Sequence, residues 1–544
     1  MPVTAGGYPP IAERVVDELL DDPATATWAG DHRADDRLPD WSADAVRARV
    51  IRLREAARAL AQVDPEVLDP PDAVDLELLR AAVDARLFAL TETRDHEWDP
   101  LVHNPGFLLH KLLVRPAPAA DRLVPLIGRL EALPDALAVA EAVLTDCPTV
   151  HLKTAVGQAA GAATLVREQV GGLAETEPGL RRRAEAACIA ATAALERHEA
   201  WLRARVERPG RDPRLGRALW EAKLGHTLDG ELEAAELMSR AEARLDVVWQ
   251  RLADAARVMG FPGPRAALDA LAADAPDDAT IVAAAGHALA ETTAFVAEHD
   301  LVPMLDDPVE VVRMPEFARG IAVAYCDAPG PLEAAGVPTF YAISPTPADW
   351  STERVASFYR EYNHAQLRNL TVHEAMPGHY LQLAHERRFT GSSRARAVCT
   401  SGAFREGWAV YCEEMMADHG FGGPPLRLQQ LKLQLRMTIN TILDQLVHCA
   451  GLTEADGMAL MTGRGLQEEG EATGKWRRAL LTSTQLSEYF AGYTEVAAIA
   501  AARPAGVSVR DWHGSMLAHG APPPRHLRTL LGVSAARGEV RWSR

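Results

Sequence analysis

Apolar residues recur every three or four positions through most of this chain, the spacing that turns one face of an α-helix towards a core. Ile11, Val15, Leu19 and Leu20 follow Pro9-Pro10 at that spacing, and prolines are well placed where a helix begins. Leu38-Pro-Asp-Trp-Ser42 reads as a turn, with Ser42 the N-cap of a helix over 43–62. Val74, Leu76, Leu79 and Val83 predict a helix over 72–89, and Trp98-Asp-Pro-Leu with Asn104-Pro-Gly a loop after it. Residues 120–206 are almost continuously helical in pattern, broken near Cys147-Pro148 and at Glu175-Thr-Glu-Pro178. Arg208-Pro-Gly-Arg-Asp-Pro213 is the clearest boundary, dividing an N-terminal helical lobe, 1–210, from the remainder, 211–544. Helices resume over 215–260 and 276–299.

The period then changes. Val309-Glu-Val-Val-Arg313, Ile321-Ala-Val-Ala-Tyr325 and Thr339-Phe-Tyr-Ala-Ile343 are short β-branched or aromatic runs between prolines and glycines. They predict a small sheet at about 309–343. A sheet edge there suits strand addition by an extended peptide, and suits simple scaffolding equally well. The expected fold class is therefore mainly α, with one small sheet.

Composition narrows the function. A formal charge of −18 opposes nucleic acid or an anionic membrane as a partner, since both are polyanions. The N-terminus has no basic patch followed by an apolar run, and no stretch of about twenty apolar residues suggests a span. Cysteines 147, 188, 326, 399, 412 and 449 are scattered without paired ligand spacing, which favours reduced thiols and a cytoplasmic location.

The candidate chemistry lies in Thr371-Val-His-Glu-Ala-Met-Pro-Gly-His-Tyr380. Two imidazoles and a carboxylate within seven residues suggest a metal site with an activating Glu. The short zinc-hydrolase signature needs its second histidine at i+4, where this chain has Pro377. On a regular helix His373 and His379 would diverge by roughly 120°. Pro377 cannot donate to the carbonyl of His373, and Gly378 tolerates unusual backbone, so a local bulge is expected to rotate His379 into place. Downstream, Phe404, Trp408, Tyr411 and Met415 form an apolar helical stripe, with Glu406 and Glu413 two turns apart on another side. Glu406 is the first candidate for a third ligand, and Glu413 for orienting a ligand imidazole. A closed site also holding Glu413 or His385 would count against catalysis. Arg405, Arg436 and Arg525 are candidate carboxylate binders, each with an ordinary ion pair as the alternative.

These residues resemble the bacterial family catalogued as domain of unknown function 885. The resemblance rests on His373-Glu-Ala-Met-Pro-Gly-His379 and Glu406-Gly-Trp-Ala-Val-Tyr-Cys-Glu413, and extends to Leu38-Pro-Asp-Trp-Ser42, Phe340–Pro347, Leu367–Leu370 and Trp512–Gly520. That family is regarded as similar to gluzincin metallopeptidases such as thimet oligopeptidase and angiotensin-converting enzyme. The resemblance implies a two-lobed helical body around a deep channel, Zn2+ on His373, His379 and Glu406, and Glu374 as general base. A peptide or small amide substrate follows. Relatives carry Gln-x-x-x-Tyr-Lys-x-Gly where this chain has Gln485-Leu-Ser-Glu-Tyr-Phe-Ala-Gly492, so Phe490 replaces a lysine. Tyr489, Tyr493 and His513 are candidate donors to a tetrahedral oxyanion. Two rivals remain: a metal enzyme opening a lactam or amide, or catalysing elimination, on a small amino-acid-like molecule, and a non-catalytic helical scaffold.

Overall fold

The computed structural model describes residues 5–230, 232–315, 323–347 and 350–533. It is mainly helical, and the strands among these residues form one three-stranded sheet. No helix among them is long and apolar enough to cross a membrane. The chain divides into two compact units: Met1–Pro213 with Pro329–Val337 and Thr390–Cys399, and Arg214–Ala328 with Pro338–Phe389 and Thr400–Arg544.

A single cut near residue 210 therefore does not describe the organisation, because two later segments return to the first unit. Both are anchored there by contacts that leave no local pattern in the sequence. The Leu332 amide donates to the Ala29 carbonyl at 2.8 Å. Gly330 lies so close that a Cβ would stand 2.2 Å from the Ala29 carbonyl carbon. Arg396 Nε donates to Asp75 at 2.6 Å, with both side chains buried. Within the same unit, Tyr8–Leu20 buries Ala12, Val15, Val16 and Leu19 along its apolar stripe. Ser42 accepts from the Ala45 amide at 3.3 Å and starts the helix Ala43–Ala61.

In the second unit, β1 (Val309–Arg313) pairs parallel with β3 (Thr339–Ile343), and β2 (Ala324–Asp327) pairs antiparallel with β3 on its other side. The second strand thus starts later than the run 321–325 suggests. Its register is set by Ala324 opposite Ile343 and Asp327 opposite Phe340, not by its own composition. Ile321 and Ala322 lie outside the described residues.

Six helices of this unit concern the site: α1 (His364–Glu374), α2 (His379–Glu386), α3 (Gly402–Asp418), α4 (Gly423–Ala450), α5 (Glu469–Leu481) and α6 (Gln485–Ala501). Asn363 and Ser401 cap α1 and α3, accepting from the Gln366 and Phe404 amides at 3.2 Å each. Helix α3 is apolar on two sides. Ala403 and Val410 join one core cluster, while Phe404, Trp408, Cys412 and Met415 join the other. Its crossing with α6 is made by glycine. A Cβ on Gly407 would lie 2.4 Å from the Gly492 carbonyl carbon, and one on Gly492 would lie 1.8 Å from the Ala403 carbonyl oxygen. The two backbones can approach this closely only without side chains. Gly492→Ala is accordingly expected to destabilise the protein by about 1–3 kcal/mol through overpacking. Denaturant unfolding measures this, and unchanged stability would show that the helices separate freely.

Candidate metal centre

The two halves of the 371–380 motif lie on different helices. The α1 backbone stops at Glu374, and Ala375 leaves the helical region with φ −126° and ψ −85°. Met376-Pro377 is a cis peptide, and α2 starts at His379. The expected bulge within one helix is therefore a complete break. Pro377 offers no N–H, but Gly378 turns back and donates to the Val372 carbonyl at 3.0 Å. A Cβ on Gly378 would stand 2.0 Å from the His373 carbonyl oxygen, so this return is available to glycine alone. Helix α3 clamps the turn from the side, with the Trp408 indole donating to the Pro377 carbonyl at 2.9 Å.

The break brings the two imidazoles together, their ring centres 4.8 Å apart and their planes at 90°. Glu406 Oε2 lies 3.4 Å from His373 Nε2 and 3.6 Å from His379 Nε2. Two ligand atoms on one tetrahedral zinc are ~3.3 Å apart, given bonds of about 2.0–2.1 Å. Both distances from Glu406 are close to that edge, all three donors lie within 4.8 Å of one another, and among the described residues they are the group of this kind able to hold an ion. Glu406 Oε2 is buried and has no hydrogen-bond partner. A buried carboxylate oxygen left this way, between two ring nitrogens, fits a cation. Burial would push the Glu406 carboxyl up, but the neighbouring His373 and His379 imidazoles hold it well below the usual carboxylate range. The donor set therefore suits Zn2+.

Glu413 acts behind the ligands. Its Oε1 is 2.7 Å from His373 Nδ1, and Asn369 donates to its other oxygen at 2.8 Å. The carboxylate thus fixes Nδ1 as the protonated nitrogen and leaves Nε2 free to ligate. Glu413 is taken up by His373 and Asn369, and His385 is engaged with the Pro303 carbonyl at 2.8 Å, so neither joins the three-donor cluster.

Glu374, one residue past His373, has its carboxyl pushed up by burial, while His373, His379 and the backbone N–H of Cys326 on β2 oppose that shift. The sheet thus supplies a hydrogen bond to the candidate base. Of the three oxyanion candidates, Tyr489 is the one whose hydroxyl feels the charge of Glu406. Burial, followed by the charge of Glu406, pushes its hydroxyl up, and Arg478 donates to it at 3.2 Å. Tyr493 is fully buried with Arg244 at 3.0 Å, Gln434 at 3.1 Å and Glu414. His513 is bonded to Leu301 O at 2.7 Å and Tyr411 at 2.8 Å. Both are engaged with these partners, and a helix period places a side chain on a face without saying which neighbour takes it up.

Asn369, the Cys326 amide, Arg478 and Glu488 are absent from the sequence-based set. Glu488 is held protonated, pushed up to about 8 by burial and then by Glu406. Only the spacing of Asn369, four residues before His373 on one helix face, carried a signal.

Glu413→Ala should keep the fold but weaken zinc binding about 10–100-fold, because His373 loses its orienting partner. Gly378→Ala should abolish zinc binding altogether. Competition with a chelator reads both, and unchanged affinity in either variant would contradict this geometry.

Comparison with known proteins agrees with this architecture. No curated protein matches the chain significantly. A candidate lipoprotein of unknown function from Shewanella oneidensis is similar in structure, with a TM-score of 0.79 at 27% identity, covering 97% of this chain and 99% of its own. A candidate lipoprotein from Colwellia psychrerythraea has a TM-score of 0.80 at 16% identity with the same coverage, a likeness of fold alone. The model of the bacterial proteins of unknown function DUF885 matches residues 23–531, nearly the whole chain, and the chain belongs to that family.

Proposed function

We propose that this protein is a zinc-dependent, metallopeptidase-like hydrolase that cleaves a peptide or amide bond. The observation that carries the reading is the buried, partnerless Glu406 Oε2 set between His373 Nε2 and His379 Nε2, with Glu374 alongside. Zinc held by these three residues would supply an activated water and polarise the substrate carbonyl.

The rest is the work of the chain's own groups. Glu374 takes the proton of the attacking water and returns it to the leaving amine. Its upward shift suits both steps, since a base nearer neutrality also makes a usable acid. The backbone hydrogen bond from Cys326 favours the ionised form of this carboxyl. Tyr489 accepts from Arg478 and keeps its own proton, which it offers to the developing oxyanion.

One observation favours a second reading, a metal enzyme for a small amino-acid-like molecule. Phe490 is fully buried in the apolar core, so the position at which relatives carry lysine brings no charge to the site. Location is drawn two ways. No disulfide joins the six cysteines, as a reducing cytoplasm allows, whereas both structural neighbours are described as candidate lipoproteins, which favours the cell envelope. Cell fractionation decides between them.

Glu374→Gln should bind about one zinc per chain, as the unmutated protein does, and lose about 10²–10⁴-fold in kcat. Metal analysis and turnover of a short-peptide panel alongside small amides provide the check. Undiminished turnover would remove Glu374 from the mechanism, and a chain that takes up no zinc would leave the scaffold reading.

A further inference from the structure

Beside the metal cluster lies a second group of charges that the hydrolytic chemistry leaves unused. Helix α5 presents Glu471, Lys475 and Arg478 at positions i, i+4 and i+7, on one face. Helix α4 presents Lys432 and Arg436, and Glu361 ends the helix Thr352–Glu361. Lys432 is paired with Glu361 at 2.8 Å. Arg436 is shared between Glu471 at 3.3 Å and Glu361 at 3.7 Å, and its buried Nη1 makes no hydrogen bond. Arg478 spends its contacts on neutral groups, Gln485 at 2.6 Å and Tyr489 at 3.2 Å.

Lys475 is the exception in this group. It is 94% buried, yet among the described residues its ammonium has neither a hydrogen bond nor a carboxylate within 4.0 Å. Buried ammonium groups are costly and are ordinarily paired. Four cations here face two carboxylates, an excess of two positive charges. The remaining acidic neighbours do not remove it. Glu488 is held protonated at neutral pH, and Glu406 belongs to the metal cluster. Lys475 and Arg478 both feel the charge of Glu406, which puts this cationic group within electrostatic reach of the metal ligands. Burial, then Arg478 and Arg436, push the Lys475 ammonium well below its ordinary range, as expected of a cation without its counter-ion.

We propose that Lys475, backed by Arg436 and Arg478, receives a carboxylate of the substrate, so that the enzyme acts on short peptides or N-acyl amino acids with a free acid group close to the scissile amide. This rests on the hydrolase reading for the scissile bond but not for the binding of the acid. Two arms of one experiment separate them. N-acetyl-Ala-Ala and its C-terminal amide are titrated calorimetrically into the zinc-loaded and the chelator-stripped full chain, with Lys475→Met and Lys475→Gln alongside. The acid should bind about ten- to hundredfold tighter than the amide with or without zinc, and either substitution should erase that preference while leaving zinc content unchanged and the melting temperature no lower. Equal binding of acid and amide, or no saturable binding of the acid, overturns the proposal. So does a preference that survives both substitutions and vanishes with the metal, because the carboxylate then sits on zinc. If the chain takes up no zinc, a Lys475-dependent preference still supports the anion site while the hydrolase reading fails. Should both variants fail to fold, the preference of the stripped, unmutated chain decides alone.

Discussion

The hydrogen bond from the Trp408 indole to the Pro377 carbonyl joins the two halves of this site. It lies in a fully buried environment, where a polar group left unpaired is costly and a good partner is correspondingly specific. Through it the turn between α1 and α2 is docked on α3, the helix that carries Glu406 and Glu413. Cys412, one turn further along α3, approaches the same carbonyl at 3.7 Å. A chain that brings three candidate ligands from three helices to one point needs such a tie, since each helix by itself is free to slide or rotate.

From that tie the remaining geometry follows in layers. The glycine crossing of α3 and α6 sets Tyr489, one turn before Gly492, near Glu406, which directly precedes Gly407. Asn369 and Glu413 set the His373 ring. The strand β2 reaches Glu374 through a backbone amide. Each layer ties one candidate group to a neighbour on another element, which is how a fold holds side chains within tenths of an ångström. Glu406 Oε2 and Arg436 Nη1 are buried polar atoms left without a hydrogen bond beside this framework.

The candidate residues divide according to whether a short stretch or the whole fold determines their setting. His373, Glu374, His379, Glu406 and Glu413 could be singled out because each sits in a motif whose spacing has chemical meaning. Tyr493 and His513 had the right chemistry and the wrong neighbours. Arg405 and Arg525 proved to hold Glu386 and Asp229, and Arg436 holds Glu361 and Glu471. Lys475 drew no notice, since a lysine on an amphipathic helix is ordinarily solvated, and only tertiary packing around α5 removes it from water.

The residue pattern by itself determined the helices, the small sheet and the family, because helical spacing, caps and turn residues act over a few positions of the chain. It also determined that Pro377 and Gly378 must interrupt a helix, since a missing N–H and a missing Cβ are local facts. How the interruption is built, which tyrosine faces Glu406, where β2 takes its register and why two late segments return to the first unit were decided only by tertiary structure. Those outcomes depend on contacts between residues tens or hundreds of positions apart, and no local stretch of sequence specifies them.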